Sequence, residues 1–157
     1  SMTRLFLIIT SVLVFFSLNC SPSVKKLDTG IITKVSSNSL DSTYQKLRNL
    51  IAANPNLTII AELDHQKNAA SVNLDLNPTR IIMFGNPKLG TPLMQQVQTT
   101  GLDLPQKILV FQEPSGTVKI AYNDPVYLKK RHGIVGQEKI LNTIANALHS
   151  LTDKAIK

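Results

Sequence analysis

The side chains of this chain with the widest chemical reach are Asp64-His65, Asp124 and His132. If the strand end carrying His65 met the turn carrying Asp124, two imidazoles and two carboxylates would share one site. Two histidines with carboxylates can hold a divalent metal, with Asp64, His65 and His132 as the core ligands. The same set could pass protons near neutral pH, as in an acid/base enzyme centred on His65 and His132. The spacing does not demand either outcome, because there is no H-x-x-x-H pair and no cysteine cluster. His149 falls on the polar side of the last helical stretch and reads as a solvated histidine.

Two further motifs point to ligand binding. Gly85-Asn86-Pro87-Lys88-Leu89-Gly90-Thr91 has the glycine spacing of a phosphate loop. It lacks the lysine between the second Gly and Thr, and Pro87 removes an amide from the cradle, which excludes nucleotide hydrolysis. A helix start fits better, with Thr91 as N-cap and Pro92 at the first helical position. Such an N-terminus presents free amides to an anion, and Lys88 or Arg80 would add charge. Asn123-Asp124-Pro125 has the same grammar: Asp124 caps, Pro125 opens a helix, and Gly133 closes it. Lys129, Lys130, Arg131 and His132 then meet the negative end of the helix dipole. Capping alone accounts for these residues, although it does not require His at 132 or Asn at 123. The candidate ligand set is therefore Arg80, Asn86, Lys88, Thr91, Asn123, Asp124 and His132, facing a small anionic molecule. Other enzyme templates are missing: there is no G-x-S-x-G and no C-x-x-C. A binding protein is expected rather than an enzyme, without a cofactor unless the divalent metal is present.

The elements that must position these residues follow from periodicity. Ile31–Val35 is a β-branched run and a first strand. Ser39 caps a helix with Leu40, Tyr44, Leu47, Leu50 and Ile51 on one face. Asn54-Pro55-Asn56 ends it. Leu57, Ile59, Ala61 and Leu63 then alternate with polar and outward positions, which places His65 on the inward side if the strand continues. Arg80–Phe84 and Lys107–Phe111 read as buried central strands, and Glu113-Pro114-Ser115-Gly116 turns into a strand carrying Val118, Ile120 and Tyr122. Gln137–Thr152 sets Ile140, Ile144, Leu148 and Leu151 on one stripe of a terminal helix. The order β-α-β-β-α-β-β-α predicts an α+β fold, a mostly antiparallel sheet with helices packed on one face.

Several words in this order, TRIIMFGNPKLGTPLMQ, GLDLP, ILVFQE, AYNDP and KKRHG, with Glu62-Leu63-Asp64-His65 upstream, resemble the bacterial family called domain of unknown function 302. The resemblance spans roughly Gly30 to Gly133. It implies an arrangement like that of the TATA-binding protein, without that protein's function, and it implies a homodimer. It brings no established activity.

The amino-terminal segment carries a different message. Ser1 ahead of Met2 is not a natural start. Arg4 precedes an apolar run from Leu5 to Leu18, whose fourteen residues reach about 21 Å as a helix, short of the ~30 Å hydrocarbon core. Residues 1–19 therefore read as a secretory signal rather than a membrane span. Cys20, the single cysteine, sits where a bacterial lipoprotein is lipidated, although Leu18 is two residues before it and Asn19 is its neighbour. Ser21 at the next position resembles outer-membrane sorting. Residues 20–29 then form a lipidated tether and 30–157 one domain, facing the periplasm from the cell envelope. Without residues 1–19 the formal charge falls from +7 to +6, since only Arg4 is lost. That balance does not indicate nucleic acid: there is no Trp, aromatics are 5%, and no reading motif is present. The expected protein is an envelope lipoprotein that binds a small anionic ligand or a protein partner. An assembly role through the sheet edge or the last helix is the remaining alternative.

Overall fold

A computed structural model describes residues 28–157. The expected signal segment, with Cys20 and Ser21, lies outside the described residues. The sheet has five strands, β1 (Ile31–Val35), β2 (Thr58–Asp64), β3 (Thr79–Gly85), β4 (Gln106–Gln112) and β5 (Val118–Asn123), ordered β1-β5-β4-β3-β2. Every pairing is antiparallel. Five α-helices accompany it: α1 (Leu40–Ala52), α2 (His65–Ser71), α3 (Pro87–Gln96), α4 (Pro125–His132) and α5 (Glu138–Ala155), with a 3-10 helix at Gln98–Leu102. This is the expected α+β architecture.

One face of the sheet carries the core. Ile82, Phe84, Ile108, Val110, Ile120 and Tyr122 point toward α1 and α5, which bring Leu47, Ile51, Leu148 and Leu151 against them. Each fully buried side chain of this size contributes roughly 1.5–3 kcal/mol. Edge strand β1 is fastened by Lys34, whose ammonium donates to Asp153 at 2.7 Å and Thr152 at 2.8 Å on α5. The opposite face, with Leu63, Ile81, Met83, Leu109 and Phe111, is half-buried or exposed.

The structure corrects the reading of β2. A register shift between Ile59 and Ala61 leaves Ile60 as an extra residue, a β-bulge that reverses the parity of everything after it. Ile59 pairs with Phe84 on the core face, but Glu62 pairs with Ile82 and Asp64 with Arg80 on that same face. Leu63 is turned outward and is 45% exposed. His65 does not continue the strand. It opens α2, with Asp64 as N-cap accepting from the Lys67 amide. The stretch between β2 and β3, where the sequence periodicity predicts no element, thus contains a two-turn helix.

The flipped carboxylates complete a network beneath α1. Tyr44 donates its hydroxyl to Glu62 at 2.6 Å, Arg48 Nε donates to the same carboxylate at 3.0 Å, and Arg80 spans Asp41 and Asp64 at 2.8 and 3.4 Å. Burial first, and the bond to Glu62 second, push the Tyr44 phenol well above the ordinary tyrosine range. A raised value in the folded state means stability that is present below the unfolded tyrosine pKa near ~10 and lost as pH climbs through it. Glu62→Ala should lower unfolding free energy by about 1–3 kcal/mol in urea titrations at neutral pH, because the Tyr44 hydroxyl loses its acceptor. Tyr44→Phe should flatten the loss of stability above pH ~10; an unchanged alkaline slope would show that Tyr44 carries none of it.

Candidate functional site

The end of the sheet where β3 finishes and β4 begins is built from chain reversals, and the caps decide what it can bind. Asn86 ends β3 and caps α3: its side-chain oxygen accepts from the Lys88 amide at 3.0 Å. Pro87 follows at the first helical position, where its missing N–H costs nothing. The Leu89 and Gly90 amides both bond to the Asn86 carbonyl. Helix α3 therefore starts one turn earlier than the sequence suggests, with Asn86 rather than Thr91 as the cap and Pro92 inside the helix. Its first-turn amides are all used or absent, and no free donor remains there for an anion.

Behind this turn lies a cavity of about 400 Å³. Its walls come from the start of β2 (Leu57, Thr58, Ile60), the end of β3 (Phe84, Gly85), α3 (Leu89, Gly90, Met94), the segment Leu104–Gln106 and one face of α5 (Ile144, Ala147, Leu148). Asn86, Pro87 and Thr91 complete the lining, and no charged side chain takes part. The bulge residue Ile60 forms part of the wall, which links the irregularity in β2 directly to the cavity. A cis bond joins Leu104 to Pro105 at the opposite wall. Gln106 stands on the core face of β4 beside Phe84 and is 8% exposed. Its carboxamide bonds to no other described residue; among these residues Thr100 Oγ1 is the one sealed side-chain polar atom without a partner, so the Gln106 amide reaches solvent where the residue lines the cavity.

A second constellation lies at α4. His132 Nε2 meets Asp103 Oδ2 at 2.5 Å, and Arg131 Nη1 donates to Asp103 Oδ1 at 3.1 Å. The Thr99 hydroxyl lies 3.2 Å from His132 Nδ1. A carboxylate can only accept, so Nε2 carries the proton shared with Asp103, and in the neutral ring Nδ1 accepts from Thr99. The His132 and Asp103 side chains are 5% and 10% exposed. This chain of hydroxyl, imidazole and carboxylate has the connectivity of a proton relay, but none of its members lines the cavity. What it does in the fold is fasten α4 to the 3-10 helix, and it gives the physical reason for His rather than Lys at 132.

The expected site residues scatter accordingly. Asn86 and Thr91 line the cavity, Lys88 is exposed on α3, and Arg80 is engaged by Asp41 and Asp64 at the other end of β3. Asn123 ends β5 opposite Ile31, and Asp124 caps α4 by accepting from Val126 at 2.9 Å. The expected metal set of Asp64, His65 and His132 is not assembled. Asp64 and His65 sit where β2 leaves the sheet, paired to the start of β3, whereas His132 lies beyond the far end of β5 and is held by Asp103. Among the described residues no group of three or more His, Cys, Asp or Glu could hold a metal ion. Gln106 was legible in principle, as a polar residue with the parity of Ile108 and Val110. Asp103 and Thr99 give no sequence signal, since their partner is 29 or more residues away.

These features define a class: an α+β domain with an antiparallel five-stranded sheet and an apolar cavity at one end. The sequence matches Domain of unknown function DUF302 over residues 32–151, and the chain belongs to that family. The crystal structure of an uncharacterized conserved DUF302 protein from Bacillus stearothermophilus has the same fold, with a TM-score of 0.71 at 21% identity. That likeness covers 81% of this chain and 98% of the other. Two curated relatives, each called fluoride-specific ion channel FluC 1, come from Brucella suis biovar 1 (strain 1330) and Brucella abortus biovar 1 (strain 9-941). Each is 36% identical over 113 residues, or 72% of this chain. The chain spans less than half the length of either, 44% and 42%.

Removing the Asp103 carboxylate strands His132 and Arg131 together. Asp103→Ala should cost about 3 kcal/mol of stability, in the range for breaking a buried pair, and should speed amide hydrogen exchange across Pro125–His132. Exchange that is unchanged there would show that α4 is held by other contacts.

Proposed function

We propose that this protein is a membrane-tethered binding domain whose cavity takes a small, uncharged, largely apolar molecule. The observation that carries this reading is the lining: a cavity of about 400 Å³ walled by aliphatic and aromatic groups with no charged side chain. Ligand pockets commonly have this size and character, with a few polar groups setting orientation. The expectation of a small ligand is kept, but its charge is revised. An anion would enter a site with no cation in its wall and no free helix amide, so its desolvation would go uncompensated. An apolar molecule faces no such cost.

The tether rests on Cys20 and the signal-like run before it. A lipid anchor would hold the domain at the membrane surface, where apolar molecules concentrate. The Brucella relatives support a membrane setting, since proteins named as ion channels contain a stretch similar to this chain. Their channel activity is not carried over. No helix of the described residues is long and apolar enough to cross a membrane.

Two measurements test the two halves of this reading. N-phenyl-1-naphthylamine, a neutral probe that brightens in apolar surroundings, should bind the wild-type domain. Ala147→Phe, which fills the cavity from α5, should weaken it at least about tenfold, equivalent to ~1.4 kcal/mol. Equal binding by both proteins would place the probe elsewhere and remove the cavity reading. In cells, Cys20→Ala should move the protein from the membrane fraction to the soluble one; retention with the membrane would mean that lipid on Cys20 is not the anchor.

A further inference from the structure

Gln106 is the one nine-tenths-buried polar side chain in the cavity wall, and it separates one class of apolar ligand from the rest. We infer that the cavity is built for a medium-length acyl chain ending in a neutral amide, with the Gln106 carboxamide as the group that reads that head. This rests on the apolar-cavity reading above and narrows it.

The argument begins with what a strand at this position would normally carry. Gln106 shares the core face with Ile108 and Val110, both fully buried, and sits opposite Phe84. An aliphatic residue would pack there without leaving any polar group in need of a partner. The Gln106 carboxamide bonds to no other described residue, yet it is not among the sealed, unpaired polar atoms, so its hydration comes through the cavity; a ligand that fills the cavity must replace that water or leave the group unpaired. Asn86 accepts from the Lys88 amide, and Thr91 lies on the exposed side of α3. The carboxamide therefore points its donor and its acceptor toward the cavity.

A primary amide is the group that answers both. Its carbonyl accepts from the Gln106 NH₂ while its own NH₂ donates to the Gln106 oxygen, a two-bond pairing between like groups. A carboxylate can answer only the donor, and it would bring a full charge into a wall with no cation. A bare hydrocarbon answers neither. The remaining aliphatic surface of Ile60, Phe84, Met94, Ile144 and Leu148 accepts the chain. A site that hydrogen-bonds its ligand discriminates against analogues lacking the group, because its own polar atoms are then left unpaired.

The test uses the full chain, bound to N-phenyl-1-naphthylamine and titrated at pH 8 with decanamide or decanoate. Wild type should release the probe at decanamide concentrations about tenfold below those needed for decanoate, the scale of one or two net hydrogen bonds. Gln106→Leu, shown to be folded by circular dichroism, should raise the decanamide concentration needed relative to the probe about tenfold, while the part of the discrimination against decanoate that comes from its charge stays in place. Gln106→Asn, with the same group on a shorter stem, should keep part of the amide preference. Equal displacement by the two compounds in wild type, or an unchanged preference in Gln106→Leu, would overturn the assignment of Gln106 while leaving the cavity reading standing. Failure of the probe to bind wild type at all would overturn both. If Ala147→Phe binds the probe normally and still prefers the amide, the amide is being read outside this cavity, and the assignment falls on that ground as well.

Discussion

The extra residue at Ile60 is the constraint on which most of this molecule turns. A strand has a side-chain period of two, so one inserted residue moves every later side chain to the other face. Before the bulge, β2 turns Ile59 to the helix-covered face; after it, the strand turns Glu62 and Asp64 to that face, where they stay partly exposed, and Leu63 to solvent. These partly exposed carboxylates find partners on α1 and β3 in Tyr44, Arg48 and Arg80. The same insertion leaves Ile60 unpaired at the start of β2, where it becomes part of the cavity wall. One irregularity thus produces both a polar network at one end of the sheet and an apolar recess at the other.

The two ends of the sheet differ in how their polar groups are satisfied, and that difference carries the functional argument. Where β2 leaves and β3 begins, carboxylates and guanidinium groups face each other closely enough to neutralise one another. Where β3 ends, the turn Asn86-Pro87 consumes the first amides of α3 within four residues. Helix N-termini attract anions only while their amides are free. A cap of this kind spends that capacity locally, so the recess behind it is apolar by construction rather than by composition alone.

The fold was largely legible in the sequence, because its strands and two long helices follow simple periods. The Ser39 cap, the stripe on α5 and the Asp124-Pro125 helix start appear where the residues place them. What failed to show was whatever depends on parity across an irregularity. Ile59-Ile60-Ala61 is apolar throughout, so the sequence contains no mark of where the extra residue lies; the inward side expected of His65 required the strand to continue, and it ends at Asp64. The start of α3 was misplaced for a related reason: Asn-Pro and Thr-Pro both satisfy the rules for a cap, and only the end of β3 decides between them. The His132 clamp was half visible. A histidine in the last turn of α4 exceeds what the helix dipole requires, but its partners come from a 3-10 helix that no local pattern announces.

The candidate site shows why residues chosen for their chemistry were a poor guide to the cavity. Charged and titratable side chains in a small domain are drawn first into the bonds that hold it together, because an unpaired buried charge costs more than any single contact returns. Arg80, Asp64, Asp103, Asp124 and His132 are all committed in this way. What remains available for a ligand is the group whose burial the fold does not explain. On β4 that group is the Gln106 carboxamide, held between Phe84 and the open recess with both its donor and its acceptor unspent. A polar side chain kept at a core position, with its amide opening on the recess, is the one group there that the packing of the sheet against α1 and α5 leaves unused.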